Sequence, residues 1–446
     1  MSIFTKVKEF ILGKDEDEEK AVSIPVDKTE ETTVHILDVS PNVYLACRAA
    51  KLCIGKYEVK GTIYDRMKYI EKIVGMGHES ILEHTNVVAM VVYNSPIYHP
   101  EKFSEIIANA KFLDVIPKKD GNKTILLIGG SIRGFMHLIR ETDKENIYLE
   151  DIRQIMYQSV EKCFLRSLIT EGLLDESECN YMAVASVDKY VEDDQEPLPE
   201  LLLDPTEVSN KTADLIFRTN FSKLMNNVYI ITDRYTKREI VRFCHFTMLF
   251  HDISRSCGNQ LCRHRNGITQ ESQRYVTHEY TKEHDFIDPI RMQLDDRYKD
   301  FDKKLLEKFN TVDFKTYKDM ISAGIYKEDA RAWLPMNVTT KIMMTFNGFT
   351  LAKFLQLRLA KGAQLEIRNL ASEIVKQLFT SNEACADFIN TTLTLGYRDL
   401  KPEYVEKDID DELSKEEIGD LKIDEAKAEE MIKLAEEYNN NNLEKH

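Results

Sequence analysis

GHESILEHTNVVAMVVY, Gly77 to Tyr93, contains the clearest structural signal in the chain. Its second part, Asn86 to Tyr93, is an unbroken apolar run rich in β-branched residues, which reads as a strand buried on both faces. Upstream, IYDRMKYIEKIVGMG from Ile63 has helical spacing and is closed by Gly75 and Gly77. Further upstream, Ser40 and Pro41 offer a helix start for NVYLACRAAKLC, and VHILDV from Val34 alternates as a strand. Downstream, Thr124 to Phe164 reads as mostly helical. The pattern of apolar strand and helix returns in the second half, where FTMLFHDI (Phe246–Ile253) reads as a strand and a helix begins at Ser254. The apolar segment KIMMTF and a long amphipathic helix from about Thr350 to Phe379 follow.

Between these halves, DKYVEDDQEPLPELLLDPTEVSN concentrates acids and prolines, the composition of a linker. The expected organisation is an acidic, flexible arm over 1–33, a first domain over 34–175, a linker over 176–210, a second domain over 211–400 and an acidic tail over 401–446. The fold class is α+β, with two similar domains in tandem, each a mixed or antiparallel sheet packed with long helices.

Composition narrows the function. With 446 residues, 43% of them hydrophobic, the chain can bury more than one core. A formal charge of −16 argues against a general nucleic-acid binder. The eight cysteines are scattered without a CxxC pair, which fits reduced thiols. The N-terminus lacks the apolar core of a signal peptide, and no run reaches bilayer-spanning length. A cytoplasmic protein without membrane or nucleic-acid partners is expected. Neither His78, Glu83 and His84 nor Cys257, Cys262 and His264 has the spacing of a zinc site. IGGSIRG (Ile128–Gly134) lacks both common phosphate-loop forms.

The chemistry concentrates in SRSCGNQLCRHRNGITQESQRYV, Ser254 to Val276. A helix from Ser254 would set Gln260, Arg263 and His264 on one side, with Arg265 beside them and Ser272 and Arg274 in the following loop. Such guanidinium groups suit an anionic ligand, since Arg offers paired donors to phosphate and carboxylate. They would equally suit salt bridges with this chain's many acids.

RHRNGITQESQRY resembles the signature of the flavin-dependent thymidylate synthases. Supporting matches are Ser254-Arg255, Gln260, EDARAWLP around Arg331, Asn347, and the LQLR and AQLEIR strings around Arg358 and Glu366. The resemblance implies an FAD enzyme that methylates dUMP to dTMP, with methylenetetrahydrofolate as carbon donor and NADPH as reductant. It implies flavin contacts from Arg263, His264, Arg265 and Asn347. Around dUMP it places Gln260, Ser272, Arg274, Arg331 and Arg358, with Arg274 at the phosphate and Arg331 at the uracil.

The second half departs from the family pattern. The loop from RHR to Ser272 is one residue short, and Gly362 stands where the family often has His. Arg242-Phe243 replaces a Glu-His pair, and Phe349 and Lys353 replace two flavin contacts. The first half keeps what is missing: Glu83 and His84 in GHESILEH, and Arg133 and His137 in SIRGFMHL, but it has no RHR. Arg331, Ser272 and His84 are therefore the expected catalytic residues, and Glu83, Arg133 and His137 join the flavin site. This complementarity favours a tandem duplication over a single domain interrupted between Tyr93 and Lys237. It also favours a homo-oligomer, a dimer of fused pseudo-dimers. A non-catalytic descendant that still binds flavin or nucleotide is the competing reading.

Overall fold

The computed structural model describes residues 25–29, 32–56, 61–94, 103–183, 212–264, 267–276, 286–287, 303–360 and 362–381. The acidic tail, most of the linker and residues 1–24 of the arm lie outside the described residues. The fold starts before Val34, because strands β1 (Pro25–Thr29) and β2 (Thr32–Val39) form an antiparallel pair within the expected arm. Helix α1 (Asn42–Cys53) follows, then α2 (Ile63–Gly75), whose first turn is closed by a reciprocal Thr62–Asp65 capping box. A 3-10 turn over Glu79–His84 leads into β3 (Asn86–Tyr93). Next come α3 (Ser104–Asn109), β4 (Leu113–Asp120), β5 (Lys123–Ser131), α4 (Ile132–Glu141), α5 (Leu149–Ser159) and α6 (Arg166–Thr170). The helical expectation for Thr124–Phe164 is thus corrected at its start, where TILLIGG is a strand.

The second half runs β6 (Ala213–Arg218), α7 (Phe221–Ile231), α8 (Lys237–Ile240) and β7 (His245–Ser254). It continues with α9 (Arg255–Leu261), β8 (Gly267–Gln270), α10 (Lys303–Ser322), α11 (Lys327–Ala330) and β9 (Thr339–Asn347). The expected single long helix from Thr350 is two, α12 (Gly348–Arg358) and α13 (Leu365–Ser381).

The strands form two sheets, in the orders β1-β2-β3-β5-β4 and β6-β7-β9-β8, with antiparallel pairing throughout the described strands. Apart from β1 the orders coincide, strand for strand. The registers coincide too: Asn86 at the start of β3 faces Ser131, and His245 at the start of β7 faces Asn347. Ser131 and Asn347 then cap the next helix in the same way, accepting from Gly134 and Thr350.

All eight residues of β3 are buried because its two faces meet different cores. Val87, Ala89 and Val91 pack with α1, α2, α4 and α5. Val88, Met90 and Val92 instead join Phe246, Met248, Phe250 and Met344 of the second half. The second of these cores therefore runs across both halves.

Candidate functional site

Helix α9 is shorter than the expected helix. Ser254 caps it through the Cys257 amide, and Glu366 of α13 accepts from both the amide and the hydroxyl of Ser254. After Leu261 the chain tightens into a 3-10 turn, so Arg263 and His264 sit on that turn and not on the α-helix. There Arg358, at the end of α12, donates from Nε to His264 Nε2 at 2.8 Å. It also reaches the side-chain and backbone oxygens of Gln260, at 3.5 and 3.4 Å. Gln260 in turn donates to Gln364. Accepting through Nε2 requires a neutral His264, and burial together with the Arg358 charge lowers its pKa to about 4. Burial also lowers the pKa of Arg358, with Arg263 adding like-charge repulsion. Gln260, His264 and Arg358 are thus brought together as the sequence implied, with Arg263 exposed beside them. Arg265 lies outside the described residues.

A second group gathers on α11. Arg274 Nε donates to a Glu328 carboxylate oxygen at 2.9 Å, and Arg331 Nε donates to the Glu328 backbone carbonyl at 3.1 Å. Ser272 Oγ accepts from the Arg274 amide. Glu328 organises both cations and was not anticipated, although it stands three residues before Arg331 in a motif the sequence had marked. Gln364 was likewise inside a quoted string without a role.

The first half supplies a third group. Glu83, in the 3-10 turn just before His84, forms an ion pair with Arg133 in the first turn of α4. His137 lies one turn further along α4, its ring edge-on to Phe112 with centroids 5.3 Å apart. This group adjoins the RHR loop, since a Cβ on Gly267 would fall 2.5 Å from the Glu83 carbonyl oxygen. His84 does not fit its expected catalytic place. It is fully buried, with Nδ1 3.0 Å from Thr345 Oγ1 and Nε2 2.9 Å from Thr269 Oγ1, both in the second half. Burial lowers its pKa to about 3, so it stays neutral and fastens β8 and β9 instead of exchanging protons with a ligand.

The matching place formed by the other pair of elements is chemically different. Arg242 lies over the Phe349 ring at 5.0 Å, and Lys353 approaches the same ring at 5.4 Å. Arg242 also faces Asp114 at 3.8 Å, and Asp114 accepts from Asn347 at 2.8 Å. Asn347, expected at the flavin, is therefore engaged with β4 of the first half. Where His84 meets Thr345 in one place, Phe243 meets Gly129 in the other: a Cβ on Gly129 would come within 2.9 Å of the Phe243 ring.

Residues 194–381 match the family described as thymidylate synthase complementing protein. A flavin-dependent thymidylate synthase of Pyrococcus furiosus is 37% identical over 149 residues, 32% of this chain and 58% of the relative. That of Pyrococcus abyssi is 36% identical over 152 residues, covering 33% and 60%, and that of Saccharolobus solfataricus 34% over 134, covering 30% and 49%. The chain thus spans about half to three fifths of the length of these relatives. The segment matching the family model contains Gln260, Arg263, His264, Ser272, Arg274, Arg331 and Arg358, whereas Glu83, His84, Arg133 and His137 precede it.

Proposed function

We propose that the chain is an active FAD-dependent thymidylate synthase that methylates dUMP, with methylenetetrahydrofolate and NADPH as co-substrates, and that it arose by tandem duplication. The observation that carries the reading is the meeting of Glu83 of the first half, itself ion-paired with Arg133, with Gly267 of the second, two residues after the RHR string. Each half alone lacks part of the family's residue set. The matching order of the four shared strands, and the matching register at the starts of β3 and β7, support the duplication.

The donor set fits a flavin dinucleotide. Arg263 and Arg133 are exposed cations suited to its phosphates, and Arg133 stands in the first turn of α4, where the helix dipole also favours an anion. These two residues and His264 would hold FAD, with His137 alongside, and the bound flavin would supply hydride. For the nucleotide, Arg274 would take the phosphate in exchange for the Glu328 carboxylate, with Ser272 donating beside it. Arg331 would polarise the uracil, and Gln260 and Arg358 would orient it. Ser272 has no basic side chain among its described partners, which favours binding over attack. The work of these residues is positioning and charge stabilisation. Two chains would associate as a dimer of fused pseudo-dimers. No helix among the described residues is long and apolar enough to cross a membrane.

Purified protein tests the reading through colour. A flavin absorption band that shifts on adding dUMP supports it, and a colourless protein that takes up no FAD ends it.

A further inference from the structure

Helix α1 ends in a turn that the function so far leaves unused. The turn is made by the backbone alone: the Gly55 N–H donates to the Leu52 carbonyl at 3.0 Å, and the Lys56 N–H donates to the Lys51 carbonyl at 2.9 Å. This is the double-bonded helix end that calls for a left-handed residue, and Gly55 has φ +70°. Such a turn leaves the carbonyl of Cys53 without a partner inside its own helix. The Ser272 amide donates to it at 3.0 Å. Beside it, a Cβ on Gly55 would lie 2.7 Å from Val276 Cγ2 and 3.3 Å from Glu271 Oε1. Glycine is therefore needed twice, once for its own dihedral and once for the approach of residues 271–276.

The same stretch is held at two earlier points by the first half, at Gly267 under the Glu83 carbonyl and at Thr269 by His84. Its only described backbone anchor beyond β8 on the first half is Cys53. With Ser272 fixed at its amide, Ser272 Oγ receives the Arg274 amide at 3.2 Å, so the position of the Arg274 backbone follows from the α1 turn. We propose that the turn ending α1, through Gly55 and the Cys53 carbonyl, is a positioning element for the dUMP-binding loop Ser272–Arg274. This rests on the function proposed above. It gives the first half a second task, separate from its flavin contacts: holding the nucleotide loop of the second half in register.

Gly55→Ala in the full-length chain tests this, with Gly172→Ala as control, because Gly172 has nearly the same φ, +69°, and nothing within 4 Å of an added Cβ. Gly55→Ala is expected to raise the KM for dUMP about tenfold, since small misplacements of binding groups are costly, while kcat and FAD affinity stay near those of the control. Adding Val276→Ala should recover part of the loss by making room for the methyl. In wild-type protein the Ser272 amide should exchange slowly with solvent even without nucleotide, a measurement that stands if Gly55→Ala does not fold. A rapidly exchanging Ser272 amide, equal KM values for Gly55→Ala and Gly172→Ala, or parallel loss of FAD and dUMP binding in Gly55→Ala alone would each overturn the inference. Wild-type protein that binds FAD but no dUMP removes the nucleotide reading and this inference together, whereas normal dUMP binding in Gly55→Ala removes only the inference.

Discussion

At the scale of single residues, Arg274 and His264 show how the two groups after Ser254 differ in kind. Arg274 is half exposed and paired with Glu328, an arrangement of little worth to folding because solvent screens it. Arg274→Ala should therefore leave the melting temperature nearly unchanged. It should weaken dUMP by about 10- to 100-fold, the range for a lost hydrogen bond to a charged group, while deoxyuridine, which has no phosphate, is affected little. Calorimetric titration of both ligands checks this, and an equal loss for both would place Arg274 elsewhere than at the phosphate. His264 is held neutral with its pKa near 4. It therefore contributes a dipole and a flat ring, packed edge-on against Phe354 at 4.9 Å, and not a positive charge.

At the scale of elements, strands β8 and β9 are joined to the first half through one imidazole. Thr345 Oγ1 meets both His84 Nδ1 and Thr247 Oγ1, at 3.0 and 2.9 Å. Thr345→Val keeps the shape but leaves both partners short of a bond in a buried place, which should cost about 1–3 kcal/mol. Thr345→Ser should cost clearly less, and urea unfolding midpoints separate the two. Much of this level was legible from local pattern: β3, α1 and α2 begin and end near where apolar spacing, Ser40 and Pro41, and Gly75 and Gly77 put them. β5 was misread because ILLIGG is a short apolar run that fits helix or strand equally. What decides it is tertiary, since Gly129 and Gly130 admit Phe243 and Leu113 against the strand. The break between α12 and α13 was missed although the buried residues of α12 (Leu351, Phe354 and Leu355) and of α13 (Ile367, Leu370, Ala371 and Ile374) do not continue one 3.6-residue stripe, and Gly362 falls between them. Within the site, Gln260, His264 and Arg358 were legible as a set through family resemblance. Glu328, Thr269 and the Cys53 carbonyl were not, because each matters only through a partner distant in the chain.

At the scale of the whole molecule, burial of three histidines sets opposite limits on stability with pH. His84 and His245 have their pKa values lowered by burial to about 3 from 6.5, so the unfolded chain binds protons that the folded one refuses. Their contribution is full above pH 6.5 and is lost as pH falls from there towards 3. His251 behaves oppositely: burial opposes its charge, but Asp214 and Asp252, each 3.0 Å from a ring nitrogen, outweigh it and raise its pKa to about 9. Its contribution is full below pH 6.5 and is lost as pH rises through 9. Melting temperature should therefore peak near neutrality, and His251→Gln should flatten the alkaline limb while leaving the acid limb in place. Under the proposed function, the same pairing of halves sets how many flavins a chain would carry. Two places are related by the matching strand orders, but only one sets the Glu83–Arg133 pair beside Gly267, two residues after the RHR string. In the other, Arg242 and Lys353 are drawn onto the Phe349 ring, Asn347 is committed to Asp114, and Phe243 fills the space above Gly129. Those side chains satisfy one another and serve the packing of the halves. The ratio of flavin absorbance to protein after gel filtration should thus approach one FAD per chain. A ratio near two would mean that the Arg242–Phe349 place opens to admit a ligand, and the two halves would then have to be regarded as equivalent in binding despite their different residues.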